Sequence, residues 1–163
     1  MKLERDVPGW AYGPYWLLAG GALLWAGGAM LAAWAQARGW AAAPYLYQLY
    51  APVCHQLPER SFHFWGEPAA ACHRCTGLYF GGFLGLVVLP AWDRLREAIL
   101  ARPRSILLFA APMAVDWLLF SHNLPASRFL TGLLASFPLG ALVWVAVRDL
   151  VGRVRPNFME KES

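Results

Sequence analysis

Four long stretches with almost no charge constrain this chain more than any other feature. They cover residues 14–37, 75–92, 105–121 and 129–147, and the only charged residue within them is Asp116. At about 1.5 Å of rise per residue, each fits a helix crossing a hydrocarbon core roughly 30 Å thick. Buried soluble helices would need a polar covering. The chain has only 163 residues, 58% of them hydrophobic and 15% charged, so it cannot supply one. The expected fold is therefore all-α: a single integral membrane domain over residues 1–163 with four transmembrane helices. Nine tryptophans and six tyrosines suit the two membrane boundaries, where rings with an apolar body and a polar tip settle. This wealth of aromatic and apolar residues excludes a disordered chain, and three cysteines are too few for a disulfide-built mini-protein.

The basic residues orient the bundle. Lys2 and Arg5 precede the first stretch, Arg94, Arg96, Arg102 and Arg104 lie between the second and third, and Arg148, Arg153, Arg155 and Lys161 follow the fourth. The other two loops hold only Arg38, Arg60, Arg74 and Arg128. By the positive-inside rule both termini are cytoplasmic and the long loop 38–74 is extracytoplasmic, as expected of a multi-pass cell-membrane protein. A net charge of +4 would allow nucleic-acid binding, but the charges fall in short clusters between apolar runs, so no nucleic-acid partner is expected. Ala35-Gln36-Ala37 resembles a signal-peptidase site. The apolar run before it, however, is longer than a signal peptide's.

Within the outer loop, Trp40 to Val53 mixes Tyr45, Tyr47 and Tyr50 with apolar residues, as a short helix lying in the interface would. Small residues recur at four-residue spacing as Gly77, Gly81 and Gly85 in the second stretch and Gly132, Ser136 and Gly140 in the fourth. Such rows let backbones approach in lipid, so these two spans are expected to touch. Pro112 and Pro138 fall inside spans three and four and should bend them.

The groups with chemistry collect at the outer end. The loop reads Cys54-His55-Gln56, Glu59-Arg60-Ser61 and Cys72-His73-Arg74-Cys75, and includes every cysteine in the chain. Asp116 sits near the outer end of span three, followed by His122 and Asn123, and Arg128 with Thr131-Gly132 opens span four. A carboxylate inside a span must be paired, hydrated or protonated. Asp116 is expected either to pair with Arg74 or Arg128, or to handle protons or substrate. Arg60, Arg74 and Arg128 near helix N-termini would form an anion pocket suited to a phosphate-bearing or anionic lipid substrate, although snorkelling at the interface also explains each one singly. These four residues are the candidates for any catalytic role.

Cys-x-x-Cys with a third cysteine upstream and histidines nearby has the composition of a tetrahedral zinc site. On an oxidising face three cysteines would leave one thiol orphaned, whereas Cys54, Cys72, Cys75 and one imidazole would use them all. His55 is the first choice for that imidazole, ahead of His63 and His73, despite the awkwardness of adjacent ligands. A disulfide or redox dithiol, and plain structural thiols, remain alternatives.

The combination Cys54-His55-Gln56, Glu59-Arg60-Ser61-Phe62 and Cys72-His73-Arg74-Cys75-Thr76-Gly77-Leu78-Tyr79, with Gly81, Asn123, Arg128 and Thr131-Gly132, resembles a family of small predicted integral membrane proteins of unknown function. Its signature is a Cys-His-Gln motif followed by Cys-x-Arg-Cys-x-Gly at the start of a span. The resemblance runs from about residue 54 to 132. It implies a multi-pass membrane protein and marks these same residues, without implying a reaction.

Three functions are compatible with this pattern. The first is an outer-face zinc site with a closed, structural shell, beside arginines that contact an anionic lipid-like substrate. The second is a quinone-coupled thiol oxidoreductase working through Cys72 and Cys75, with Arg74 stabilising a thiolate or reduced quinone but only Cys54 left to relay electrons. The third is a structural or interaction subunit. The chain has no nucleotide-binding loop, Gly-x-Ser-x-Gly elbow or paired helical histidines.

Overall fold

The computed structural model describes residues 13–102, 104–119 and 124–159. Over these residues the chain is mostly helical, with one small sheet. Lys2, Arg5, His122, Asn123 and Lys161 lie outside the described residues.

Helix α1 (Gly13–Ala37) matches the first expected span almost residue for residue. One of its faces is lined by Ala29, Ala32, Ala33 and Ala35, all fully buried. These short side chains leave room for a second layer to approach. Helix α2 (Ala43–Tyr50) follows, with a proline in its first turn where the missing N–H costs nothing. It returns Tyr50 to α1: the Tyr50 hydroxyl donates to the Trp25 carbonyl at 2.5 Å over Gly28, where a Cβ would strike that hydroxyl.

The segment that follows α2 is not all-α, contrary to expectation. After a 3-10 turn at Pro58–Arg60, strands β1 (Ser61–Phe64) and β2 (Glu67–Cys72) form an antiparallel hairpin. Its two connecting residues, Trp65 and Gly66, both have positive φ, 56° and 88°. That is the turn whose twist matches a two-residue hairpin, normally marked by Asn-Gly or Asp-Gly. A tryptophan in the first position hid it. β2 places Ala69, Ala70 and Ala71 against α1 and is buried there.

Helix α3 (His73–Val88) leads through a 115° bend into α4 (Asp93–Ala101). Arg96, 4% exposed, fastens the bend. It donates to the Pro90 carbonyl at 3.1 Å, pairs with Asp93 at 2.9 Å and lies over the Trp144 ring. Helix α5 (Ser105–Leu119) contains Pro112, and the fourth stretch is divided into α6 (Pro125–Ser136) and α7 (Leu139–Met159). The division falls at buried Pro138, which has no N–H to continue the ladder.

Two stretches, Gly13–Ala37 and, taken across the break at Pro138, Pro125–Val147, are long and apolar enough to cross a membrane. α3 with 16 residues and α5 with 15 reach only about 22–24 Å at 1.5 Å per residue. α3 is shorter than the expected span 75–92, and residues 120 and 121 of the expected span 105–121 lie outside the described residues. α3 qualifies by length only when joined to the bent α4.

Glycines set the approach of α3 to the fourth stretch. A Cβ on Gly77 would enter the Phe129 carbonyl, one on Gly81 the Leu133 carbonyl, and one on Gly85 the Phe137 carbonyl; Gly132 and Gly140 reply against the Arg74 and Gly85 backbones. The register rises together on both sides, so α3 and α6 run parallel with their N-termini at the same end. α1 runs the other way. Its N-terminal Tyr15 meets Leu86 and Trp144, while Ala29 and Ala32 meet Cys54 and Ala70.

Candidate functional site: a cysteine triad beside an arginine-lined cavity

The N-termini of α3 and α6 and the C-terminal ends of α1 and α5 converge where the loop folds over them. Two features share this end, and Cys72 belongs to both.

The first is a sulfur triad. The Sγ atoms of Cys54, Cys72 and Cys75 all lie within 4.8 Å of one another, and the three thiols are unbridged. Cys72 is the N-cap residue of α3 and Cys75 lies in its first turn, a spacing of three that puts both on one face. Cys54 is delivered by the loop. Its N–H donates to the Tyr50 carbonyl at 2.9 Å, and Gln56, at a φ of 52°, clamps the segment with Nε2 donating to the carbonyls of Tyr47 (2.7 Å) and Ala70 (2.9 Å). The sequence marked Gln56 only as part of a motif. Its role is to tie α2 and β2 together around Cys54.

The Cys72 N–H donates to Cys54 Sγ at 3.2 Å. Thiol hydrogen bonds from Cys72 and Cys75 further hold Cys54 well below the usual thiol range. Free N–H groups at the start of α3 favour charge in the same place. In a tetrahedral site with metal–sulfur bonds of about 2.3 Å, the sulfurs stand just under about 4 Å apart. The triad is close to one face of such a tetrahedron. Among the described residues no histidine nitrogen joins the group. His55, expected as fourth ligand, is exposed and turns instead to the neighbouring cavity. A side chain adjacent to a ligand in an extended loop points away from it.

The second feature is a cavity of about 300 Å³ whose lining includes Arg60, Arg74, Arg128, His55, His73 and Cys72. The arginines meet there because Arg60 ends the 3-10 turn, Arg74 lies in the first turn of α3 and Arg128 near the start of α6. Asp116, 4% exposed, anchors the wall. Arg74 Nη2 donates to its Oδ2 at 2.7 Å, and the Ser127 hydroxyl donates to Oδ1. Of the two expected partners, Arg74 is the one that pairs with Asp116. Ser127 was not singled out in the sequence; its position beside Arg128, on the turn facing a buried acid, is the signal that was available.

Several buried nitrogens around the cavity have no hydrogen-bond partner among the described residues: His73 Nδ1, Arg74 Nε and Arg128 Nε. His73 is 5% exposed and packs edge-on against Phe62 at 4.4 Å. Unpartnered buried donors cost about 1–3 kcal/mol each. Other motif residues lie apart: Glu59 and His63 are exposed, and Thr131 donates to the Ser127 carbonyl at 2.9 Å within its own helix.

Residues 54–143 match the family described as predicted membrane protein (DUF2085). An uncharacterised protein of Methanocaldococcus jannaschii is 35% identical over 96 residues, covering 56% of this chain and 62% of that protein. An uncharacterised protein of Methanothermobacter thermautotrophicus is 33% identical over 100 residues, covering 57% of this chain and 86% of its own length. The chain thus spans less than two thirds of the M. jannaschii relative. No solved structure matches.

Proposed function

This chain belongs to that family of predicted membrane proteins, and on that premise we propose that it is a four-span membrane protein holding a thiolate-bound metal, zinc, on its outer face beside a pocket for an anionic, lipid-like substrate. The spans in this reading are α1, α3, α5 and the α6–α7 pair, with both termini cytoplasmic. Support comes from the alternation of direction, since α1 runs opposite to the parallel pair α3 and α6. The charge asymmetry puts Arg94, Arg96, Arg102 and Arg104 at the end away from the cysteines. The short helices α3 and α5 are accommodated by local thinning of the bilayer or by snorkelling of the flanking arginines.

The observation that carries the reading is the adjacency of the two features. Three sulfurs within one metal's reach share Cys72 with a cavity lined by three arginines. Soft thiolates select zinc among the abundant divalent ions. Arginine forks and the N-termini of α3 and α6 suit phosphate or carboxylate oxygens.

The full chain, purified in detergent without chelator, should carry about one zinc per chain by elemental analysis, and Cys54→Ser, Cys72→Ser and Cys75→Ser should each lower that content. A metal-free wild type overturns the reading. Mass spectrometry after thiol blocking addresses the redox alternative: a Cys72–Cys75 disulfide that reduces and reforms with quinone would replace the metal with a thiol oxidoreductase.

A further inference from the structure

We infer that the metal's fourth coordination position is filled from the cavity, by a phosphate oxygen of a ligand whose phosphate group is held by Arg60 and Arg128. This inference rests on the metal reading above and goes beyond it: it makes the site a substrate-binding centre and not the closed structural shell that three cysteines and His55 would have formed.

Three independent observations lead there. First, among the described residues the sulfur triad has no fourth side-chain ligand, and a three-ligand site is the open kind that binds water or substrate. Second, Cys72 belongs to both the triad and the cavity lining, so the two features adjoin through this one residue. Third, the cavity is built for an acceptor-rich guest. The Nε atoms of Arg74 and Arg128 are buried without a partner among the described residues, and both residues line the space. An anion with several oxygens satisfies such donors, whereas a neutral apolar guest leaves them stranded.

The lining also indicates which phosphate. Leu57 and Trp117 complete the wall, and Trp117 is 69% exposed on the apolar surface of α5. The cavity is therefore flanked by lipid-facing surface as well as by arginines. A volume of about 300 Å³ holds the equivalent of about ten waters at roughly 30 Å³ each, enough for a phosphate headgroup with its chain lying outside along Trp117. The shared chemistry is that of a phosphate group with free oxygens, whether on a lipid or free in solution.

Cobalt(II) substitution tests this with a readout at the metal itself. The full chain in detergent, stripped and loaded with cobalt, should show thiolate charge-transfer and four-coordinate ligand-field bands. Those ligand-field bands should move saturably when inorganic phosphate, or phosphatidic acid in mixed micelles, is added. A response to phosphatidic acid at concentrations where inorganic phosphate is inert assigns the ligand to a lipid headgroup; equal responses assign it to free phosphate; both support the inference. Arg60→Gln, at an exposed position that leaves folding intact, should raise the half-saturating phosphate concentration about tenfold with phosphate-free bands unchanged. His122→Ala should behave as wild type.

Bands that form but respond to neither probe overturn the inference while leaving the metal in place. So does a change in the phosphate-free bands of His122→Ala, because a protein nitrogen would then occupy the fourth position. A chain that binds no cobalt overturns the metal reading itself, and this inference with it.

Discussion

Replacing Asp116 tests whether the helix ends around the cysteines meet as described. Its carboxylate is 4% exposed and bonded to Arg74 Nη2 at 2.7 Å and to the Ser127 hydroxyl. Two unit charges about 4 Å apart at an effective dielectric constant near 20 attract by about 4 kcal/mol. Stranding one member of a buried pair costs about 3–5 kcal/mol. The Arg74 side chain retains 23% exposure, so water recovers part of the loss, and the lower end of that range, about 3 kcal/mol, is expected for Asp116→Leu. Asp116→Asn keeps an acceptor for Arg74 or Ser127 and should cost about 1–2 kcal/mol. In detergent, Asp116→Leu should melt about 6–12 °C below wild type, with Asn between them. The double variant Arg74→Leu/Asp116→Leu removes both charges together. It should recover about 2 kcal/mol relative to the sum of the single variants, because an apolar pair in that space carries no stranded charge. An Asp116→Leu protein as stable as wild type, with no coupling to Arg74, would refute the reasoning and detach the carboxylate from the site.

Four further outcomes follow from the same geometry. Gly85→Ala and Gly140→Ala should sharply lower the melting temperature, because each Cβ enters the opposing backbone, whereas Gly20→Ala, with open space around it, should be neutral or gain about 0.5–1 kcal/mol of helix propensity. The chelator-treated protein should show thiolate absorbance in the ultraviolet near pH 7, lost in Cys54→Ser and weakened in Cys75→Ala, since a hydrogen bond from Cys75 helps to hold the Cys54 thiol low. Arg96→Ala should cost about 2–3 kcal/mol by freeing the Leu89–Pro90 carbonyls and Asp93 at the α3–α4 bend. Single cysteines introduced at Glu59 and Glu97 in a cysteine-free background should react with membrane-impermeant reagents from outside and from the cytoplasm respectively; the reverse result would invert the proposed orientation.

The helices were legible wherever length and apolarity alone decide them. α1 was read almost exactly to its ends because a long uncharged run before a Gly39 break has few alternatives, and the contact between α3 and the fourth stretch followed from the glycine rows. The hairpin was not legible. Trp65 stands where a turn-forming Asn or Asp would have announced it, and β2 is half alanine, a helix former that becomes strand here because it packs against the alanine face of α1. The fourth stretch was read as one span since Pro138 signals a bend without saying whether the helix continues through it.

The same division runs through the site. Residue chemistry nominated Cys54, Cys72, Cys75, Arg60, Arg74, Arg128 and Asp116 from the sequence alone, because thiols, guanidinium groups and an intramembrane carboxylate are too costly or too reactive to sit in a membrane chain without partners. Which partners they take was decided only in three dimensions. Asp116 chose Arg74 over Arg128, His55 left the sulfurs for the cavity, and Gln56 and Ser127 became the groups that hold Cys54 and Asp116 in place. A linear sequence states which groups need company. Side-chain direction and the approach of α3 to α6, set by glycines far from the chemistry, determine who supplies it.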